Sequence, residues 1–353
     1  MKPTTYTLHG VSGLLALALA GCGGSDDPVK PDPPAASISL AGSVATPTDF
    51  TSATLKAKYT EVEQTVSYLA GTTPTVKTYL GVSLFDVVQD ALAADNKTPG
   101  ATNPGNAGRR LIEHYVLATS TDGYQVAYSL GELSPGFGGS SSASGQPLIA
   151  YAEKAGGAVA ALDDSTDGPF RITVPGDIKD GRYASNAVKL EVGVPSATPY
   201  SGTDPAGGQS TTVIIDGKVK AARTFTVADL KALPVQTAVY NGTTYKGAGL
   251  YDLLKTTVGL TTSSRKNAEL SMYAVAIATD GFRSVVSLGE ISPSFGNRPA
   301  IVAYEREHDT DPTLGPTGAL RLIISRNAAT PESAGARQVS NLAEIQVFEA
   351  GTP

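Results

Sequence analysis

The chain has 353 residues, a net charge of -6, 41 % hydrophobic and 17 % charged residues. That balance allows a packed core in roughly two domains and argues against global disorder. It holds no dense basic run of the kind that engages nucleic acid phosphates. Its single cysteine, Cys22, excludes an internal disulfide and a cysteine-rich metal site.

In chain order, residues 1–21 read as an export signal. Lys2 supplies the positive start, and Leu14 to Ala20 form an apolar run too short to span a bilayer. Leu19-Ala20-Gly21-Cys22 follows at once and resembles the lipobox of bacterial lipoproteins. The resemblance implies cleavage before Cys22 and lipid attachment to it, since stable anchoring takes more than one acyl chain. Residues 22–36 are then a lipidated linker, loosened by Gly and Ser and extended by Pro31, Pro33 and Pro34. The expected location is the cell envelope, with the membrane as one partner. Gly23 after the cysteine points to the outer membrane or the periplasmic face if the host is Gram-negative.

The remainder repeats itself. Tyr79-Leu80-Gly81-Val82-Ser83-Leu84 matches Tyr245-Lys246-Gly247-Ala248-Gly249-Leu250. TDGYQVAYSLGELSPGFG from Thr121 matches TDGFRSVVSLGEISPSFG from Thr279. Arg182, Ser185 and Asn186 match Arg337, Ser340 and Asn341. The separation between matched segments shrinks along the chain, so the first copy carries the extra loops. The copies span residues 37–197 and 208–350, joined by a turn-rich segment.

Each copy reads as mixed α and β. Val213 to Gly217 is a strand. Thr226 caps a short helix over VADLKAL that Pro234 follows. A second helix starts near Leu250, with Leu253, Leu254 and Val258 on one face. Asp122-Gly123 and Asp280-Gly281 each turn a hairpin between apolar runs. Ser129 and Ser287 cap the next turn, with Glu132 and Glu290 reciprocating. RITV with KLEVGV, and RLIIS with AEIQVF, are the last strands.

This order of motifs, with Gly168-Pro169-Phe170-Arg171-Ile172-Thr173-Val174-Pro175, resembles the oxidoreductase molybdopterin-binding domain of the sulfite oxidase superfamily. The resemblance implies an α+β fold: two tandem copies of a mixed α/β domain able to hold a pterin-bound molybdenum. It also implies a cysteine thiolate on the metal, ahead of the Tyr-x-Gly-x-x-Leu segment. Here the corresponding stretches, residues 60–73 and 235–243, contain no cysteine. Hydroxyls and amides are poor substitutes for that soft ligand. A cofactor phosphate would call on Arg171, Arg182, Arg321, Arg326 and Arg337. The same arginines also suit strand edges with structural partners.

Other constellations carry less. No histidine accompanies the repeated Ser and Glu, which argues against a serine nucleophile. His114 and His308 lack counterparts in the other copy. Glu305, Glu307, Asp309 and Asp311 could attract calcium but read as a solvated acidic loop. The expectation is therefore a lipid-anchored, non-catalytic protein with a binding or structural role, no cofactor and no catalytic residue. An oxidoreductase that keeps molybdopterin through atypical ligation and an adhesin or envelope scaffold are the alternatives. A protein or small-molecule partner stays open.

Replacing Cys22 with Ser is expected to abolish palmitate incorporation and move the protein from the membrane to the soluble fraction. Unchanged labelling and partitioning would sink the anchor.

Overall fold

The computed structural model describes residues 35–92, 111–165, 167–307, 313–314, 318–325 and 337–351. Cys22 and the rest of the expected signal and linker up to residue 34 lie outside them.

The first copy begins with β1 (Ser37–Gly42), β2 (Thr48–Thr51) and α1 (Ser52–Lys58). A long hairpin, β3 (Val62–Ala70) and β4 (Thr73–Ser83), leads into α2 (Leu84–Ala91). The Asp-Gly hairpin is β5 (Tyr115–Ser120) and β6 (Gln125–Ser129), followed by the one-turn helix α3 (Leu130–Leu133). Four strands complete the copy: β7 (Leu148–Ala155), β8 (Ala158–Ala161), β9 (Arg171–Ile172) and β10 (Ala187–Gly193).

The second copy repeats this route. It runs through β11 (Thr212–Gly217), β12 (Arg223–Thr226), α4 (Val227–Lys231), β13 (Val235–Tyr240), β14 (Thr243–Gly249) and α5 (Leu250–Asp252). Then come β15 (Met272–Ala278), β16 (Arg283–Ser287), α6 (Leu288–Ile291), β17 (Ala300–Arg306), β18 (Arg321–Ile324), β19 (Val339–Ser340) and β20 (Leu342–Glu349).

Each copy builds two sheets. One has the order β2-β1-β10-β5-β6, and its counterpart is β12-β11-β20-β15-β16. Both are antiparallel except at β1–β10 and β11–β20, which are parallel. The other sheet is β3-β4-β7-β8 with β9 on β7, against β13-β14-β17-β18-β19.

Strand outweighs helix by more than two to one, so the chain is β-rich and not the mixed α+β fold expected above. The helix starts lie where their caps place them. Thr226 and Asp229 form a capping box at α4, and Ser129 with Glu132 forms one at α3. Yet the helices are short. The stretch after Leu250 gives α5 and then a π-helical turn, Leu253–Gly259, with Leu253, Leu254 and Val258 buried. The strands outside the expected set are the β3–β4 and β13–β14 hairpins. Thr, Ser, Glu and Lys alternate along them with the few apolar residues, because one face is wet. Such strands lack the apolar run that marked β5, β15 and β20.

The described residues from Ala36 onward form one compact unit. All seven residues of β15 are buried. Ala274, Ala276 and Ala278 face the second copy's own core. Tyr273, Val275 and Ile277 face away from it and pack with Leu117 and Ala127 of the first copy. The Tyr115 and Tyr273 rings stack there with centroids 4.4 Å apart. A strand covered on both faces reads as a continuous apolar run, as MYAVAIA does.

Candidate functional site

The repeated segment Ser-Leu-Gly-Glu-x-Ser-Pro-x-Phe-Gly and the repeated arginine converge where the copies meet. Capping positions each glutamate. Ser129 Oγ accepts from the backbone N–H of Glu132 (3.1 Å), and Glu132 Oε1 accepts from the N–H of Ser129 (2.9 Å). Ser287 Oγ likewise accepts from the N–H of Glu290 (3.3 Å). Each carboxylate is thereby held at the start of its turn, facing inward and almost wholly buried.

Arg182 donates to Glu132 Oε2 at 2.6 Å. Arg337 donates to both oxygens of Glu290, at 2.8 and 2.7 Å. These pairs lie within one copy, but the arginines reach across. A Cβ on Gly131 would stand 2.7 Å from Arg337 Nε, and one on Gly138 would stand 2.4 Å from Arg337 Nη1. Reciprocally, a Cβ on Gly289 would meet Arg182 Cδ at 2.8 Å, and one on Gly296 would meet Arg182 Nη1 at 2.9 Å. The two glycines of the repeated segment leave room for the other copy's arginine. Hydroxyls close the link: Ser287 Oγ donates to Glu132 Oε1 (2.6 Å), and Arg337 Nη2 donates to Ser129 Oγ (3.4 Å).

A third partner on each side breaks the symmetry. Asp177 Oδ2 lies 3.5 Å from Arg182 Nε, and Arg298 Nη1 lies 3.1 Å from Glu290 Oε1. Both line a cleft of about 290 Å³ at the junction, with Ser140, Pro175 and Asn297. The asymmetry appears in the acidities. Burial alone would raise Glu290, but Arg337 and Arg298 hold it down at about 2. Burial raises Glu132, which Arg182 opposes and Glu290 reinforces. Burial pushes Asp177 up to about 7 against the pull of Arg182, with Glu132 and Glu290 adding to the rise.

Of the five arginines considered for a phosphate, Arg182 and Arg337 belong to this lock. Arg171 is buried elsewhere, ion-paired with Asp167 and donating to Ser185 Oγ at 2.8 Å. It lies over the rings of Tyr68, Tyr79 and Tyr183, 5.4 to 5.9 Å from their centroids. Arg321 makes the matching contacts in the second copy with Tyr240 and Tyr245. Arg326 lies outside the described residues, as do His308, Asp309 and Asp311. Glu305 pairs with Lys231 at 2.5 Å. Among the described residues no group of three or more His, Cys, Asp or Glu could hold a metal ion. Sequence reasoning missed Glu132 and Glu290 as ion partners. Their signal was a Gly-Glu pair repeated alongside a repeated arginine.

These donors do not fit a pterin-bound metal. The stretches expected to carry the thiolate fall in the β3–β4 and β13–β14 hairpins and contain no sulfur ligand. Arg171, Arg182 and Arg337 are each compensated by a carboxylate, so a phosphate would have to displace a buried partner.

Comparison with models of known protein families and with curated proteins finds no match. Among solved structures the chain is similar to the sulfane dehydrogenase SoxCD from Paracoccus pantotrophus, at 10 % identity and a TM-score of 0.32, over 90 % of this chain and 78 % of that chain. So distant a likeness carries no argument about chemistry, and the site is read from its own residues.

Arg337→Leu strands Glu290 beside Arg298 alone and is expected to cost about 3–5 kcal/mol of stability in urea titrations at pH 7. A loss below about 1 kcal/mol, the level of an exposed pair, would refute the lock. For Asp177, a folded value near 7 lies above the unfolded value of about 3.9, so its contribution falls as pH rises between them. Asp177→Asn should remove that downward slope between about pH 4 and 7. The check is the urea midpoint at four pH values; parallel curves for the two proteins would contradict it.

Proposed function

We propose that the chain is a lipid-anchored extracytoplasmic protein whose two copies form one rigid, non-catalytic unit used for binding or scaffolding in the cell envelope. The observation that carries this reading is the reciprocal seating of Arg182 and Arg337. Each of these cations sits on glycines of the opposite copy and spends its charge on a buried glutamate. Groups that a redox cofactor's phosphate would need are therefore committed to holding the copies together. The lack of any thiolate near the Tyr-x-Gly-x-x-Leu segments supports the same reading. The membrane part rests on Cys22 and the proline-containing linker after it.

The test is elemental analysis for molybdenum and tungsten, with a fluorescence assay for oxidised pterin. The full chain is purified from a host that makes the cofactor. Metal and pterin far below one equivalent are expected. Near-stoichiometric amounts of both would overturn the non-redox reading.

A further inference from the structure

The two charges that break the symmetry of the junction come from different copies and open onto the same cleft. Gly168 matches Gly318 in the repeat, so Asp177 falls opposite Asn327 in sequence. Phe137-Gly138 matches Phe295-Gly296, so Arg298 falls opposite Ser140. Each copy thus supplies one ionisable group where the other has a neutral one. Both line the cleft of about 290 Å³.

Local backbone sets both groups. Val174-Pro175-Gly176-Asp177 is a tight turn: the Asp177 N–H donates to the Val174 carbonyl (3.3 Å), and Gly176 takes a φ of +89°. Pro followed by Gly is the order a type II turn calls for. The next residue pins the turn to the other copy, with the Ile178 N–H donating to the Phe295 carbonyl at 3.0 Å. Across the cleft, Asn297 turns the chain through the left-handed region at φ +48°, and the Arg298 N–H donates to the Glu290 carbonyl (3.0 Å).

The partners of these two side chains leave each incompletely satisfied. Asp177 is only 4 % exposed, yet among the described residues no hydrogen bond reaches its Oδ2. Arg182 Nε stands 3.5 Å away, and Arg182 hydrogen-bonds Glu132 instead. A buried acceptor without a donor is costly. Arg298 shares Glu290 with Arg337, which already donates to both carboxylate oxygens. The ion pairs of Asp177 and Arg298 therefore run to Arg182 and Glu290, and not to one another.

Charge narrows the ligand. The carboxyls of Glu132, Glu290 and Asp177 face the guanidiniums of Arg182, Arg337 and Arg298, so these six groups are neutral together when all are ionised. A lone anion on Arg298 would leave Asp177 without a donor. A lone cation on Asp177 would stand beside Arg182. A molecule with both an N–H-bearing cation and a carboxylate answers both groups and keeps the balance. The volume lies at the small end of ligand pockets, and Pro147, Val174, Pro175 and Pro299 make part of the wall apolar.

We propose that the junction cleft binds a small zwitterionic amino acid, its ammonium donating to Asp177 and its carboxylate accepting from Arg298. This names a ligand class for the binding reading above and rests on it. The two fail separately, because the molybdenum and pterin assay does not read amino acid binding.

The full chain is titrated calorimetrically with glycine, β-alanine and γ-aminobutyrate, which differ in the spacing of their two charges. The titrations run at about pH 8, where Asp177, with a folded value of about 7, is ionised. Methylamine and acetate each carry one of the charges, and glycine betaine carries both but has no N–H. At least one of the three amino acids is expected to saturate with a Kd of about 1 mM or tighter, and all three controls to bind about tenfold more weakly or worse. Asp177→Asn and Arg298→Gln should each weaken the best ligand about tenfold or more, with circular dichroism confirming that the variants are folded. The ligand series uses the unaltered chain, so it decides even where a variant is unstable. No saturation by any of the three amino acids at about 10 mM would overturn the proposal. So would a control that binds as tightly as the best amino acid, or a folded variant that keeps the wild-type affinity.

Discussion

Two buried ion pairs, Arg182–Glu132 and Arg337–Glu290, sit where two halves of one chain meet, and each arginine occupies space made by glycines of the other half. A buried guanidinium is tolerated only if its charge and its N–H groups find partners. That requirement constrains everything around it. The serine caps must orient the glutamates, the one-turn helices α3 and α6 must present them, and the glycines must stay small. The apolar contact between β5 and β15 completes the junction by covering the second face of each strand. An arrangement so dependent on both halves makes the pair one object rather than two beads on a string.

The same physics bears on the cofactor resemblance. Repeated arginines ahead of a final strand suggest phosphate binding when they are read along the chain. In three dimensions two of them neutralise carboxylates inside the junction, and Arg171 neutralises Asp167 beneath three tyrosine rings. Both uses satisfy a cation, so residue type and spacing cannot tell them apart. The difference lies in which partner is nearer, and a buried carboxylate at 2.6 or 2.7 Å already fills the role an anionic ligand would take.

The two halves resemble each other in topology but differ at the junction. Their sheets have the same strand order around β1 and β11, yet the junction has Asp177 on one side and Arg298 on the other. One guanidinium serves Glu132 and two serve Glu290, so two equivalent carboxyls are driven in opposite directions.

Much of this protein was legible in its sequence. The Asp-Gly hairpins, the serine caps and the buried strands β15 and β20 all leave local or periodic signals. Each depends on neighbours a few residues apart. The β-rich class was not legible, because the Thr- and Ser-containing strands β3, β4, β13 and β14 take their conformation from pairing with distant strands rather than from an apolar period. Nor was the meaning of the Gly-Glu and arginine repeats, since the glycines make room for arginines from the other half of the chain and the charges pair with partners 50 and 47 residues away. Local chemistry determined where turns and caps fall. Only the tertiary structure decided which buried charge faces which, because that choice depends on the desolvated geometry at the junction of the two copies.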